Sequence, residues 1–591
     1  MEQTAKKENK HSKRRIRVSV IIVLVVIVCV LIAIAKANGI ITKAINEKLQ
    51  EQSQAMKAGS FSYGDIDINL WRATAKVKGL KYVSDSSGVK NTKLSNFEIE
   101  IKETEFYFLE YWSLLKNKKL LVHSVTINDL ESSLKIDDTR PVIPRDTNAT
   151  NSVDVYKTVL KFIASINVSK VNINNASLIV DNIGNPFHIE CDSTYISVSN
   201  LGYDIASGKM EYNDSIYSFS VKHIKMIHPD GKYRMEVAGV HSANAGPLVI
   251  DTISHKCLVD KEKLAVVNGK IPVVWSNLKI NKIETSNVNI LRSIINENVK
   301  LETLSLSGGF VDLYKDDTYP PFKVSRPIQI SLAKLMVPLN VKRVNVSLDR
   351  FWFTEKLATA PAATLKMNNV KASVHDVNNV DYKDIVAKVS CSMSNRGGYM
   401  TMNLRLHKNE QSTWDFKFTV ANGKFGAFND FLGKIAGVKV SGNLQRVEAV
   451  YSGDTLTSSG TFVMTYDNLE AQVIKGTSPI EFLNKNSKSV NGLIKVIVPH
   501  SNPLKPGTAP KKYKVKAKRD LYKPYFVYIM GGVFDGLKET MLAPFFLAKE
   551  VKEKKALSEE KSVVDEKKTL KGKIQERKEK RQERKEAKRS E

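Results

Sequence analysis

The 591-residue chain has only four cysteines, a number that excludes a protein built around a disulfide framework. Cys29 lies in an apolar run near the N-terminus, and Cys191, Cys257 and Cys391 are far apart in the sequence. The chain also lacks the G-x-S-x-G, H-E-x-x-H, P-loop, C-x-x-C and G-x-G-x-x-G motifs of catalysis and cofactor binding. Catalytic residues need not be close in sequence, but nothing here favours an enzyme or a bound cofactor.

Histidine spacing suited to a metal ion is also missing. The ten histidines are scattered, and His223 and His228 are the closest pair outside the N-terminal head. Five residues apart on a strand, these two side chains point to opposite faces of a sheet. We therefore predict no metal site.

The chain has no concentrated basic patch, although its formal net charge is +28. The first 17 residues contain seven Lys/Arg against two Glu, and residues 549–591 contain 17 Lys/Arg against 11 Asp/Glu. The remaining excess of basic residues is spread thinly over the body of the chain. This distribution argues against nucleic acid as a partner and favours an anionic membrane surface.

One long uncharged run is present, beginning at Val18 and ending at Ala35. A helix of this length spans about 27 Å, close to the ~30 Å of a bilayer core. Because the basic head precedes the run, the positive-inside rule predicts a single-pass anchor with a cytoplasmic N-terminus and an extracytoplasmic body. The alternative is a cleaved signal peptide, since A-x-A patterns end the run, but the run exceeds the usual apolar length of about 7–15 residues.

Beyond residue 59, apolar side chains recur at every second position. Ile66 and Ile68 alternate with aspartates, and Phe97 and Ile99 alternate with glutamates. This period of two is typical of strands with one covered face and one wet face. The Gly-Asp pair at 453–454 lies between two such runs and predicts a hairpin turn. The sequence therefore predicts a mainly β protein with an antiparallel sheet.

A unit of one short helix and two apolar runs occurs four times. The predicted helices lie at 106–119, 153–166, 290–299 and 326–337, and the two following runs start seven or nine residues apart. We interpret each pair of runs as a hairpin, so that short helices separate hairpins. The alternative is that any β protein with occasional helices shows such spacing. In three of the four units, the first of the two apolar runs contains a pair of the residues used below: Val125 and Ile127, Val171 and Ile173, or Val344 and Val346.

The C-terminal apolar segment is not predicted to cross a membrane. Asp535, Lys538 and Glu539 lie near its middle, where Asp or Lys costs about 2.5–3.5 kcal/mol each. The segment is expected to cap the end of the sheet or to lie on a membrane surface. The predicted organisation is a basic head (1–17), an anchor (18–36), a juxtamembrane helix (37–58), two β regions (59–400 and 401–520), a helical cap (521–548) and a charged tail (549–591).

Several stretches in order resemble the AsmA family of bacterial envelope proteins. They are GSFSYGDIDINLWRATAKVKGLKY after the apolar run, LSNFEIEIKETEF, and LLVHSVTINDLESSLKI. Residues 425–474 are similar to the C-terminal part of that family, with Gly442, Gly460, Tyr466 and Leu469 at its recurring positions. The resemblance implies an elongated, twisted β-sheet curled into a groove. It also implies an inner-membrane tether, a periplasmic body, and the guiding of phospholipid toward the outer membrane, with a possible envelope protein partner.

A curled sheet with one apolar face can be covered by lipid acyl chains. The predicted groove positions are Ile66, Ile68, Phe97, Ile99, Val125, Ile127, Val171, Ile173, Val344 and Val346. The alternative is that helices and a second sheet cover this face, which gives an anchored structural or binding protein with a dry core.

Overall fold

The computed structural model describes residues 59–540 and 580–581. Gaps in this description fall at 70–72, 85–93, 109–118, 138–164, 184–186, 205–208, 213–215, 245, 265–273, 289–292, 294–297, 317, 319–323, 336–337, 358–359, 382, 394–395, 436, 475–490, 492–498 and 538. The chain divides into two compact units. Unit 1 comprises Met1–Tyr314, Ala333–Phe351 and Lys371–Asp381, and unit 2 comprises Lys315–Leu332, Trp352–Val370 and Tyr382–Glu591.

Strands dominate the described residues, and they belong to one sheet. The strands are β1 (Gly59–Ser62), β2 (Asp65–Asn69), β3 (Thr74–Ser84), β4 (Leu94–Phe108), β5 (Lys119–Ile136), β6 (Ser165–Asn182), β7 (His188–Asp204), β8 (Lys209–Tyr212), β9 (Tyr217–Ile227), β10 (Tyr233–Ala243), β11 (Pro247–Cys257), β12 (Val274–Asn287), β13 (Val299–Asp316), β14 (Leu339–Leu357), β15 (Ala360–Asn378), β16 (Ile385–Met393), β17 (Gly398–Leu406), β18 (Trp414–Lys424), β19 (Val438–Gly453), β20 (Thr457–Val473) and β21 (Lys512–Lys518). The helices are α1 (Ile328–Ala333), α2 (Asn429–Ile435), α3 (Tyr525–Ile529) and α4 (Gly531–Leu537).

The mainly β fold and the mostly antiparallel sheet are confirmed. In unit 1, β3 pairs antiparallel with β4, β4 with β5, β6 with β7, β7 with β9, and β9 to β12 follow in order. In unit 2, β16 to β21 form an antiparallel series. The predicted hairpin turn joins β19 to β20, where the Asp454 carboxylate accepts hydrogen bonds from the Leu456 and Thr457 amides at 2.7 and 2.8 Å.

The prediction of hairpins after the short helices is wrong. Val171 and Val180, assigned to separate strands, lie in the single strand β6, and the other three pairs of runs likewise fall within β5, β13 and β14. The odd spacing between the runs has another cause: Asn175, in the middle of β6, has a φ of +56°. A left-handed residue inside a strand shifts the alternation of side chains without ending the strand.

Left-handed residues lie level with one another across unit 1. Gly79, Asp129, Asn175, Ser193 and Gly239 have φ values of +61°, +52°, +56°, +49° and +63° in strands that the register brings side by side. We call this line the crease. At the crease the period of two is interrupted, so apolar residues an odd number of positions apart can lie on one face.

Among the described strands, two pairs are parallel within the otherwise antiparallel sheet that the sequence predicts. Strands β5 and β6 pair in parallel with a constant offset, such as Ile127 opposite Ile173. In β13 and β14, Glu302 contacts Lys342 and the Gly309 amide contacts Asp349, an unchanged offset that only parallel strands give. A parallel pair needs a crossover connection, and α1 lies in the connection from β13 to β14.

Unit 2 has a dry core on one face of β18 to β21. Trp414, Phe462 and Ile529 are completely buried, and the Tyr451 hydroxyl donates a hydrogen bond to the Ile529 carbonyl. Helix α4 packs over β19, β20 and β21, and Tyr528 of α3 contacts the Trp414 ring edge-to-face. The C-terminal apolar segment therefore includes two short helices that cover the sheet.

The predicted anchor, the juxtamembrane helix and most of the charged tail lie outside the described residues. The helices predicted at 106–119, 153–166 and 290–299 fall largely outside them too, whereas the fourth, predicted at 326–337, contains the shorter helix α1. Within the described part of the chain, no helix has the length and apolar character needed to cross a bilayer.

Candidate functional site

The candidate site is the apolar face of unit 1, where side chains directly opposite one another on neighbouring strands form continuous rows. Two rows lie on one side of the crease and two on the other. The first row is Ile66, Val77, Thr104, Ile127, Ile173, Ile196, Phe219 and Ser242. The second row is Ala75, Phe106, Val125, Val171, Val198 and Tyr217, and Ile68 of β2 pairs with Ala75 in the backbone register.

Beyond the crease the rows are equally continuous. The third row is Tyr82, Ile99, Ser132, Leu178, Cys191, Ile224, Val237, Ile253 and Ile280. The fourth row is Phe97, Leu134, Val180, Ile189, Met226, Met235, His255 and Leu278. At about 4.8 Å per strand, the first row spans about 34 Å from β2 to β10, comparable with the ~30 Å of a bilayer core.

Most of the predicted positions are brought together in these rows. Ile66, Ile127 and Ile173 share the first row, Val125 and Val171 share the second, and Ile68 pairs in register with Ala75 of the second row. Ile99 lies in the third row and Phe97 in the fourth. Val344 and Val346 lie in β14, beyond the strands that carry the rows.

Sequence reasoning missed several members of the rows. Ile196 and Val198 of β7 and Phe219 of β9 alternate with serines, and that alternation was the available signal. Thr104 gave no such signal because a polar residue is not expected on an apolar face. Its place opposite Val77 and Ile127 is fixed by the pairing of β4 with β3 and β5.

The rows combine buried and half-buried positions. Ile66, Phe106 and Val125 are only 6, 3 and 6% exposed, whereas Ile127 and Ile173 are half-buried. Each half-buried side chain keeps apolar surface in reach of solvent, and covering it is favourable by about 25 cal/mol per Å². The face therefore has apolar area left to bury.

Two hydroxyls of the first row lack hydrogen-bond partners among the described residues. Thr104 and Ser242 are 3 and 5% exposed, and their side-chain oxygens are buried. Leaving such a group unsatisfied costs about 1–3 kcal/mol. The first row is thus apolar throughout its middle and carries a buried hydroxyl in β4 and in β10.

The opposite face is charged and wet. Lys76 pairs with Glu105 at 3.2 Å, and Lys81 contacts Glu98 and Glu100 at 2.7 and 3.1 Å. The hydrogen bonds that the Lys81 ammonium donates to the carboxylates of Glu98 and Glu100 raise its pKa. Exposed pairs of this kind contribute little to stability, so their main consequence is that this face stays in water.

At the crease, the charged face has a shallow depression. Consecutive residues Asp192 and Ser193 line it together, as do Lys222 and His223, which shows that the alternation is interrupted there. Lys102 contacts Asp129 at 3.3 Å in the same depression. Among the described residues, no cluster of His, Cys, Asp and Glu could hold a metal ion.

The geometry of the site suits a long apolar ligand better than a compact polar one. The rows offer continuous hydrocarbon surface with few hydrogen-bonding groups, whereas specific small-molecule sites place several polar groups around a concave pocket. A scan against protein-family models found no match to this chain, and a search of curated proteins found none either.

Proposed function

We propose that the chain binds lipid acyl chains on the four apolar rows of unit 1 and guides phospholipid along them between membranes. The observation that carries this proposal is the continuity of the rows across neighbouring strands, with half-buried apolar side chains on one face and ion pairs on the other. Acyl chains gain by burying hydrocarbon without needing directed hydrogen bonds, which is what this face offers.

The resemblance to AsmA-like proteins supports the cellular setting of the proposal. In that setting the run from Val18 to Ala35 holds the chain in the inner membrane, and the body lies in the periplasm. The chain then supports outer-membrane biogenesis by supplying phospholipid, with an envelope protein as a possible partner. No nucleic acid or cofactor takes part, and no catalytic step is needed.

Site-specific photo-crosslinking in cells tests the acyl-chain proposal. A photo-reactive residue at Ile127 or Ile173 should yield lipid adducts, because both side chains lie in the first row. The matched controls are Thr126 and Asn172, which neighbour them in sequence and point to the opposite face. Equal labelling of the two pairs, or no lipid adduct at either isoleucine, would contradict the proposal.

The second candidate is an anchored structural or binding protein with a dry core. Unit 2 supports it, because Trp414, Phe462 and Met464 are completely buried within the protein itself. Lipid analysis of the purified full chain distinguishes the candidates. Phospholipid retained in proportion to protein supports the conduit, and its absence supports the dry structural protein.

A further inference from the structure

The C-terminal strand of unit 2 carries an unusual stripe of charge. In β21, Lys512, Lys514, Lys516 and Lys518 alternate with the less exposed Tyr513, Val515 and Ala517, and all four lysines are exposed. The stripe is about 20 Å long at about 3.4 Å per residue. Residues 501–523 contain eight Lys/Arg and one Asp, the densest basic segment of the described chain.

The neighbouring strand does not neutralise these lysines. They stand opposite Val463, Thr461, Ser459 and Thr457 of β20, none of which is acidic. Within the described residues, none of the four lysines has a salt bridge. Four like charges on one face, without counter-charges on the adjacent strand, attract an anionic surface.

An exposed leucine lies in the fixed loop that leads into the stripe. Leu504 is 76% exposed, the most exposed large apolar side chain of the described residues. The base of its loop is fastened by Asn502, which is buried, donates to the Met464 carbonyl at 2.7 Å and accepts from the Lys511 amide at 2.8 Å. The Thr508 hydroxyl donates to the Lys505 carbonyl at 2.7 Å and closes the tip.

Hydroxyl groups accompany the lysines at the other end of the stripe. Lys516 and Lys518 line a depression together with Ser452, Thr457 and Ser459. Two carboxylates also line it, but both are engaged within the protein. Asp415 contacts His407 at 2.9 Å, and the Asp454 carboxylate accepts the turn amides.

We propose that the lysine stripe of β21 and the Leu504 loop dock unit 2 on the surface of a bilayer that contains anionic phospholipid. The lysines contact head-group phosphates, and Leu504 enters the interface between basic residues that remain at head-group level. Each Lys or Arg close to an anionic membrane surface is attracted to it by about 1 kcal/mol, which corresponds to about fivefold in affinity. This surface is independent of the acyl-chain rows, so either proposal can fail without the other.

An acidic protein would satisfy the lysines but not the leucine. An exposed leucine on a fixed loop that precedes a row of lysines suits shallow insertion into a membrane. The burial of apolar area and the attraction of the lysines to anionic lipid then both favour binding. A different reading is that lysines on an edge strand only prevent edge-to-edge pairing. That reading predicts self-association, not loss of membrane binding, when the lysines are replaced.

Vesicle capture by the full chain tests the proposal. The chain is held on beads through an N-terminal tag and offered fluorescent phosphatidylcholine vesicles with or without phosphatidylglycerol. We expect capture only with phosphatidylglycerol, reduced by added salt. Replacing all four lysines of the stripe by Gln should lower capture by about tenfold or more. The matched control replaces Lys78, Lys119, Lys135 and Lys170, which are exposed in unit 1, and should change capture by less than about twofold.

A second pair of variants tests the leucine. Leu504→Ser should weaken capture, whereas Leu258→Ser, an exposed leucine of unit 1, should not. Equal losses for the stripe variant and its lysine control would overturn the proposal, as would capture that ignores phosphatidylglycerol. Self-association of the stripe variant in size-exclusion chromatography, with vesicle capture unchanged, would show that the lysines only protect the edge.

Discussion

At the scale of single residues, His188 is held between two carboxylates on the charged face of unit 1. Its Nδ1 contacts Asp181 at 2.7 Å, its Nε2 contacts Glu190 at 2.8 Å, and Lys225 also contacts Glu190 at 2.8 Å. The hydrogen bonds that the ring nitrogens of His188 donate to the carboxylates of Asp181, first, and Glu190, second, raise the pKa of His188. Lys225 and then His188 lower the pKa of Glu190 to about 2.

These shifts predict a pH dependence of stability. The raised pKa means that His188 stabilises the fold fully below its unfolded pKa of about 6.5, and this contribution is lost as pH rises through the folded pKa. The contribution of Glu190 is present above about pH 4.3 and is lost as pH falls toward 2. Between pH 6 and pH 8, the free energy of unfolding measured in urea should fall more for the wild-type chain than for His188→Gln. A parallel loss in both chains would show that His188 does not contribute.

Two isoleucines of β6 lie on opposite faces of the sheet. Ile173 belongs to the first row, and Ile179 is 40% exposed. Ile173→Asp should remove bound phospholipid and lower stability, because an unpaired charge on an apolar face is costly. Ile179→Asp should leave the amount of bound phospholipid and the stability unchanged within experimental error, since substitutions at the surface usually change stability by less than about 0.5 kcal/mol. Lipid analysis and thermal unfolding of the two variants provide the measurement, and equal lipid loss would contradict the row assignment.

At the scale of elements, close packing of α4 on the sheet depends on a glycine. A Cβ on Gly536 would lie within 2.1 Å of the Phe462 ring, which is completely buried. Gly536→Val should destabilise unit 2 by about 1–3 kcal/mol, because overpacking would push α4 away from β20. Gly433→Ala in α2 is the control, since its Cβ would meet Ile474 at an ordinary 3.8 Å. Comparable unfolding midpoints in denaturant would refute this packing argument.

Another position that requires glycine is Gly309 in strand β13. Gly309 has a φ of +91°, its amide donates to Asp349 at 2.9 Å, and a Cβ would lie 2.0 Å from the Lys279 carbonyl oxygen. Gly309→Ala should cost more than the about 1–2 kcal/mol of left-handed strain alone. Gly231→Ala isolates that strain, because Gly231 has a φ of +67° and open space around it. Denaturant unfolding of the two variants compares the costs, and equal costs would disprove the clash.

The sequence predicts the strands but not their ends, and β6 shows why. Ile173 and Leu178 are five residues apart, a spacing that a strict period of two places on opposite faces. The Asn-Asn pair between them reads as a turn, since Asn tolerates positive φ. In the structure Asn175 takes that conformation inside a continuous strand, where its side chain donates to Asp129 at 2.7 Å. Local chemistry alone does not distinguish a turn from a crease.

The direction in which neighbouring strands pair also could not be predicted from the sequence. Alternation identifies Val125, Ile127, Val171 and Ile173 as residues of one face, but not that the two strands are parallel. Pairing is decided by contacts between distant residues, and the alternation of either strand is unchanged by the direction of its partner. Only part of the membership of the rows followed from the sequence, since Thr104 gave no signal, and the continuity of the rows required the register.

At the scale of the whole molecule, the two units differ in how their apolar faces are covered. In unit 2, α3 and α4 bury Tyr451 and Phe462 within the protein. In unit 1, Ile127, Ile173 and Phe219 remain half-buried. The same alternating pattern therefore gives a dry core in one unit and an apolar face with area left to cover in the other.

Removal of lipid should affect the two units differently. If acyl chains cover the rows of unit 1, delipidated protein should exchange amide hydrogens faster in β4 to β9, because the local opening free energy falls when a ligand of the native state is removed. Strands β18 to β20 should be unchanged, since α3 and α4 supply their cover. Hydrogen exchange with mass spectrometry, before and after delipidation and again after phospholipid is restored, measures both sets of strands in one sample. Recovery on restoring phospholipid separates ligand loss from damage, and equal acceleration in both sets would mean that delipidation unfolds the chain instead of emptying the rows.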